Sequence, residues 1–323
     1  MTIDPVSIEP VTSHETSAPE PADRRLLVVH AHPDDESIGT GITLAKYVAE
    51  GAAVTLVTCT LGEEGEVLVP ELEHLAAEQQ DQLGPHRLGE LNDAMAALGV
   101  TDYVRLGGDY RFRDSGMKWS EEGHGAVPRD VLREGIFWTT DLLEAAGELV
   151  KIIRDRRPQV LVTQDERGAY GHPDHIQAHR VATYAYALAA VPGFRPDLGE
   201  PWMVDRVVWA SISESRMRDR IRTLRAMGDT ESFNGVDPDV AGSLPMGTPD
   251  EWIVAEISAA EHIDRKMAAL RAYKTQIAQD SWFFQAAAKI DDFWATEHYR
   301  YAAGKPFPQA DKWADDLFAG LDV

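Results

Sequence analysis

Leu26-Leu27-Val28-Val29-His30-Ala31-His32-Pro33-Asp34-Asp35-Glu36 is the stretch on which the architecture turns. Four consecutive apolar residues, with no polar alternation, read as a short strand covered on both faces, as in a parallel sheet flanked by helices. His30-Ala31-His32 closes that strand, and an acidic turn follows at once. Gly39 to Glu50 then reads as a helix, with Ile42, Ala45 and Ala49 at helical spacing and Gly51 as its stop. Ala53-Val54-Thr55-Leu56-Val57 is a second strand, which completes a β-α-β unit.

The alternation continues outward. Arg87 to Leu98 is helical with Gly99 as its stop, Tyr103-Val104-Arg105-Leu106 is a strand, and Asp141 to Arg156 is a helix ended by Pro158. Val160-Leu161-Val162-Thr163 is a strand and Asp174 to Ala190 a helix. This order predicts an α/β fold: a Rossmann-like, doubly wound, mostly parallel sheet. Gly107 to Thr139 is aperiodic and rich in Gly, Arg and Trp, and is expected to be a substrate-facing insertion. Beyond Pro192 the alternation weakens, with strands at Val204–Ser211 and Glu251–Ser258, a short helix at Arg216–Met227 and an amphipathic helix at Ala259–Gln276. Three regions are expected: an acidic, disordered tail over 1–23, a metal-binding catalytic domain over 24–190, and a smaller α+β subdomain over 191–323 that completes the substrate pocket.

Composition narrows the function. With 54 acidic against 31 basic residues, the formal charge of −23 repels phosphate backbones and anionic lipid, so nucleic acid and membrane surfaces are excluded as partners. No apolar run approaches the roughly 18 to 20 residues that span a bilayer, and no signal peptide is evident. The one cysteine, Cys59, cannot form an internal disulfide and reads as a packed small hydrophobe. A soluble, cytoplasmic protein acting on a small molecule is expected, with a homo-oligomer open.

Two clusters carry chemistry. His32-Pro33-Asp34-Asp35-Glu36 follows the first strand, and Tyr170-Gly171-His172-Pro173-Asp174-His175 follows the strand ending near Thr163, so both sit at the carboxyl edge where ligands bind in open sheets. Acidic groups packed beside histidine repel one another unless a cation offsets them, and imidazole with carboxylate suits zinc. A helix-capping turn is the plainer reading. A catalytic zinc needs three protein ligands and an open position, which His32, Asp35 and His175 supply, leaving Asp34 free. His179, one turn beyond His175, is an alternative ligand, and Asp174 an orienting partner for a neighbouring imidazole. Gly39-Thr40-Gly41 is a poor dinucleotide fingerprint because Leu44 occupies the third glycine position.

Together, His32-Pro33-Asp34-Asp35-Glu36 and Gly171-His172-Pro173-Asp174-His175 resemble the signature pair of the zinc-dependent LmbE-like (PIG-L) N-deacetylases. Thr58-Cys59-Thr60-Leu61-Gly62-Glu63-Glu64-Gly65-Glu66, His86-Arg87-Leu88-Gly89-Glu90-Leu91 and Arg113-Asp114-Ser115-Gly116 are similar to the branch acting on N-acetylglucosaminyl-inositol in mycothiol biosynthesis. The resemblance covers roughly Arg25 to Ala190. It implies Zn2+, or Fe2+ on the same donors, at His32, Asp35 and His175, with Asp34 as general base. It implies that His172 stabilises the oxyanion or protonates the leaving amine, that Asp174 holds His172 as imidazolium, and that Tyr170 donates to the oxyanion. Glu66, Arg87 and Asp114 are implied to line the sugar-inositol site, with Arg111 or Arg113 as substitutes for Arg87; Trp119 and Trp138 are candidates for stacking on a sugar face. The alternatives are a mycothiol S-conjugate amidase, another N-acetylglucosamine-conjugate deacetylase, or a non-catalytic sugar or nucleotide binder on the same scaffold.

Overall fold

The protein is described by a computed structural model covering residues 23–121, 125–230, 232–290 and 293–323, so the expected tail falls almost wholly outside the described residues. In chain order the elements are β1 Arg25–His30, α1 Asp35–Gly39, α2 Gly41–Ala49, β2 Ala53–Thr58, α3 Leu83–Leu98, β3 Asp102–Arg105, β4 Lys118–Trp119 and β5 Ala126–Val127. There follow α4 Leu142–Arg156, β6 Val160–Thr163, α5 Gly168–Gly171, α6 Pro173–Ala189, β7 Arg206–Ser211, α7 Glu214–Ala226, β8 Ile253–Ser258, α8 Ile263–Ala272, α9 Trp282–Lys289 and β9 Thr296–Gly304.

Seven strands form one sheet in the order β3-β2-β1-β6-β7-β9-β8. The first five are mutually parallel, and β9 runs antiparallel to β7 and β8. The order grows outward in both directions from the β1/β6 pair, so their carboxyl ends flank the point where the winding reverses, and a crevice opens there. Both sequence clusters leave the sheet at that point.

The apolar run of β1 is explained by its two covered faces. Leu26 and Val28 pack with Leu44, Leu56, Leu91 and Leu270 under α2, α3 and α8. Leu27 and Val29 pack with Val57, Leu149, Val150 and Val181 under α4 and α6. The segment beyond 190 adds β7, β9 and β8 to this sheet, and its Val208, Ala255, Ile257 and Tyr299 share the core of Leu26. It also holds smaller clusters around Ile221 and Phe293, the latter including Trp282.

Two expectations change. The helix expected over Gly39–Glu50 is present as α2 but starts two residues later, and a separate short helix, α1, precedes it across a break at Thr40. The amides that would have continued α1 are taken by Glu297 of β9, whose carboxylate accepts from Ile42 N and Thr43 N, each at 2.9 Å. The long helix expected over Ala259–Gln276 shortens to α8, because Glu90 of α3 binds Thr275 through its amide at 2.8 Å and its hydroxyl at 2.7 Å. Among the described residues between Gly107 and Thr139, the chain is irregular apart from the short antiparallel β4–β5 pair and a turn at Phe137–Thr139.

Candidate active site

β1 delivers the first cluster. His30, the last residue of the strand, is buried with Nδ1 3.1 Å from Gln164 Nε2 and Nε2 3.0 Å from Thr40 Oγ1. Burial, reinforced by His175 and His32, pulls it down to about 4 against Asp35, so this imidazole is neutral and structural. The turn beyond it is strained: Asp34 has φ of 115°, a region that residues other than glycine seldom adopt. Glu36 holds it there by accepting from Asp34 N at 3.0 Å, and itself receives Ser37 Oγ at 2.6 Å and Tyr273 Oη at 2.7 Å. Arg87 of α3 donates to Asp34 Oδ2 at 2.8 Å.

β6 delivers the second. Positive φ at Gly168, Ala169 and Gly171 turns the chain back over the sheet edge before α6 begins. His172 caps α6, its Nδ1 accepting from Asp174 N at 3.1 Å. That bond leaves the proton of the neutral ring on Nε2.

The two clusters meet. His32 Nδ1 lies 3.5 Å from Asp35 Oδ2, and His175 Nε2 lies 3.2 Å from Asp35 Oδ1. One ring nitrogen each of His32, His172 and His175 falls within a 4.8 Å span. Both nitrogens of His175 are buried without a well-aligned hydrogen bond, Nε2 meeting only the Asp35 carboxylate at 3.2 Å, an expensive arrangement for an imidazole. The opposite nitrogen of His32, Nε2, sits 3.3 Å from Asp174 Oδ2 and 3.5 Å from Asp114 Oδ1. An imidazole braced by carboxylate on one side and facing donors on the other is how metal-binding histidines are held. Among the described residues, two groups have ligand atoms within 4.8 Å of one another, His32 with His172 and His175, and His32 with Asp114 and Asp174. Asp35 adjoins the first through its contacts with His32 and His175, so the donor chemistry at this cluster suits a divalent ion.

The electrostatics follow from burial and crowding. Burial pulls His32 down, but Asp114, Asp174 and Asp35 outweigh it and hold the ring well above the usual histidine range. Burial raises Asp35, but His175 and His32 overcome it and keep the carboxyl well below its usual value. Asp34 is pushed up to about 7 by burial, with Arg87 opposing and Asp35 adding. His172 is pulled down to about 2 by burial, with His32 and His175 adding. Of the two carboxyls at His32, Asp114 stays low because His32 outweighs its burial, whereas burial lifts Asp174 to about 6.

A chain from a Nocardioides species, described as a 1D-myo-inositol 2-acetamido-2-deoxy-alpha-D-glucopyranoside deacetylase, is 58% identical over 302 residues, spanning 93% of this chain and 99% of its own. One from Kribbella flavida with the same description is 57% identical over 301 residues, 93% of this chain and 98% of its own. The family profile described as PIG-L, GlcNAc-PI de-N-acetylase, matches residues 27–186. The chain belongs to the PIG-L family. The fold agrees: N,N'-diacetylchitobiose deacetylase from Pyrococcus horikoshii superposes with a TM-score of 0.52 at 18% identity, over 86% of this chain and 84% of that one.

The matched PIG-L segment contains both clusters, yet several residues expected to meet substrate are otherwise engaged. Arg87 is 2% exposed and donates to Pro33 O, Gly62 O and Asp34. Asp114 accepts from Glu64 N at 3.1 Å and Gly116 N at 2.8 Å. Glu66 is an exposed side chain in the same loop. Arg111 pairs with Glu144, and Arg113 with Glu64 and Asp81. Tyr170, half-buried, has its ring 5.3 Å from His175, and Trp119 lies 5.9 Å from Tyr170. Trp138 carries the Arg180 guanidinium over its face, and His179 bonds the Gln164 carbonyl, away from the three clustered rings.

One expected pairing differs. The Asp174 carboxylate turns away from His172 towards His32 and Ser115, whose amide donates at 2.9 Å and whose hydroxyl also donates. His172 meets only the Asp174 amide, because as the cap of α6 its ring must face the first free amides of that helix. Ser115 lies in the Arg113-Asp114-Ser115-Gly116 run but is given no role by the sequence reading, because its partner is 59 positions away.

Proposed function

We propose that the protein hydrolyses the acetamide of 1D-myo-inositol 2-acetamido-2-deoxy-α-D-glucopyranoside, releasing acetate and the free amine, with zinc as the metal at His32, Asp35 and His175. The observation that carries the substrate is 58% identity extending over 99% of the Nocardioides deacetylase, far beyond the shared metal motifs. The resemblance to the mycothiol branch supports placing the reaction in that biosynthesis. A bound divalent ion supplies a Lewis acid for the acetamide carbonyl and acidifies attacking water.

The chain's own residues do the rest in this reading. Asp34, set beside the metal ligands by its strained turn and by Arg87, takes a proton from water as the new C–O bond forms. His172, neutral and protonated on Nε2, donates a hydrogen bond to the developing oxyanion; the raised hydroxyl of Tyr170 supplies a second donor. As the C–N bond breaks, the proton held by Asp34 passes to the leaving nitrogen. Glu66 is the remaining open side chain of the loop for a sugar or inositol hydroxyl, and we propose Arg87 and Asp114 as the frame behind it.

Among the described residues no helix is long and apolar enough to cross a membrane, which suits a water-borne substrate over a lipid-linked one. A cytoplasmic location is part of the proposal and rests on the unpaired, buried Cys59. The test is to incubate metal-loaded protein with the acetamido sugar-inositol and with a mycothiol S-conjugate, following free amine. Faster release from the sugar-inositol, abolished by chelator and restored by zinc, is expected; preference for the S-conjugate overturns the assignment in favour of an amidase.

A further inference from the structure

We propose that Tyr273, at the end of α8, is a positioning residue for Asp34 that acts through Glu36. The inference rests on Asp34 being the general base. Tyr273 is fully buried, and its hydroxyl donates to Glu36 Oε1 at 2.7 Å. The other oxygen of Glu36, also fully buried, accepts from Asp34 N at 3.0 Å. The relay therefore ends on the backbone of the one residue in the turn with φ of 115°. Such a conformation persists only where surrounding contacts over-determine it.

The same helix grips the other end of α1. Lys266 is 2% exposed and donates to Ile38 O at 3.0 Å and to Glu297 Oε1 at 2.7 Å, while Glu297 caps α2. α8 thus places one buried donor behind the first turn of α1 and another at its last carbonyls. Sequence separation is large, 237 positions between Tyr273 and Glu36, so the segment beyond 190 reaches the Asp34 turn through Glu36. Ser37 Oγ shares Oε1 with Tyr273. Losing the phenol leaves Ser37 Oγ as the remaining side-chain donor to Oε1, which loosens the hold of Glu36 on the Asp34 amide.

The test compares Tyr273→Phe with Tyr299→Phe. Tyr299 is an equally buried phenol that bonds Thr43 in α2 and makes no hydrogen bond to Glu36 or Asp34. Tyr273→Phe is expected to lower kcat about tenfold, the effect of about 1.4 kcal/mol of lost alignment, with KM and bound metal unchanged. Tyr299→Phe is expected to lose stability but keep kcat. If Tyr273→Phe folds poorly, Glu36→Gln reads the same path through its own fall in kcat. The double variant Tyr273→Phe with Glu36→Gln is expected to be no slower than Glu36→Gln alone, since both act through one relay. Wild-type kcat in Tyr273→Phe or in Glu36→Gln, equal kcat losses in the two tyrosine variants, or losses that multiply in the double variant would overturn the proposal. Asp34→Ala, run in parallel, separates the two readings: retained turnover there removes the base assignment itself, whereas lost turnover there with an unaffected Tyr273→Phe removes only the relay.

Discussion

Arg87 brings a permanent charge into a buried position and spends its donors on Asp34, Gly62 O and Pro33 O. In the proposed mechanism a residue held that way acts on Asp34 as the base rather than on substrate. Arg87→Met is expected to cut kcat while leaving KM within about twofold, and to destabilise the fold by about 3 to 5 kcal/mol through the acceptors left unpaired. Steady-state kinetics with a urea melt check both; a large rise in KM at constant kcat would restore Arg87 as a substrate ligand. Ser115 makes the complementary case. Its hydroxyl braces Asp174, which braces His32, so Ser115→Ala is expected to weaken metal affinity by about 10-fold to 100-fold, read by competition with a chromogenic chelator. At this scale the convergence of the two contiguous motifs was legible, His32 and Asp35 meeting His172 and His175. The direction in which Asp174 points was not, since its partners lie 142 and 59 positions away.

The second cluster depends on a close approach of two backbones. Gly171 has φ of 97°, and a Cβ there would stand 2.7 Å from Ala126 O of β5. The β4–β5 pair, which carries Trp119, is therefore pressed directly against the Tyr170-Gly171 turn. Gly171→Ala is expected to cost about 1 to 3 kcal/mol from conformation alone and to displace Tyr170 and His172, lowering turnover more than Gly89→Ala, an exposed helical glycine with open space around it. Calorimetry with amine-release kinetics distinguishes the two; equal, small effects would show that the hairpin yields. The core strands and helices were legible because period and stop signals are local. The break at Thr40 and the early end of α8 were not, because they are imposed by Glu297 and Glu90 from distant parts of the chain.

At the level of the whole molecule, the β1/β6 pair sets two chain segments side by side at the point where the winding reverses, and burial there controls protonation. His30 illustrates the consequence for stability. Its folded value of about 4 lies below the ordinary 6.5, so the unfolded chain binds the extra proton first as pH falls. Its contribution is fully present above about pH 6.5 and is lost between there and about pH 4, a span of about 3 kcal/mol. Urea midpoints of chelator-treated protein are expected to fall over that window, and to fall less steeply in His30→Gln; parallel slopes would assign the acid sensitivity elsewhere. The account depends above all on which side chains grip the ion. X-ray absorption and anomalous diffraction of the zinc-loaded protein measure this directly. The expected result is one ion bonded to His32 Nδ1, Asp35 and His175 Nε2, with the Asp34 carboxylate beside it and not bonded. An ion seated on His172 in place of Asp35, or between Asp114 and Asp174 at the far side of His32, would contradict it.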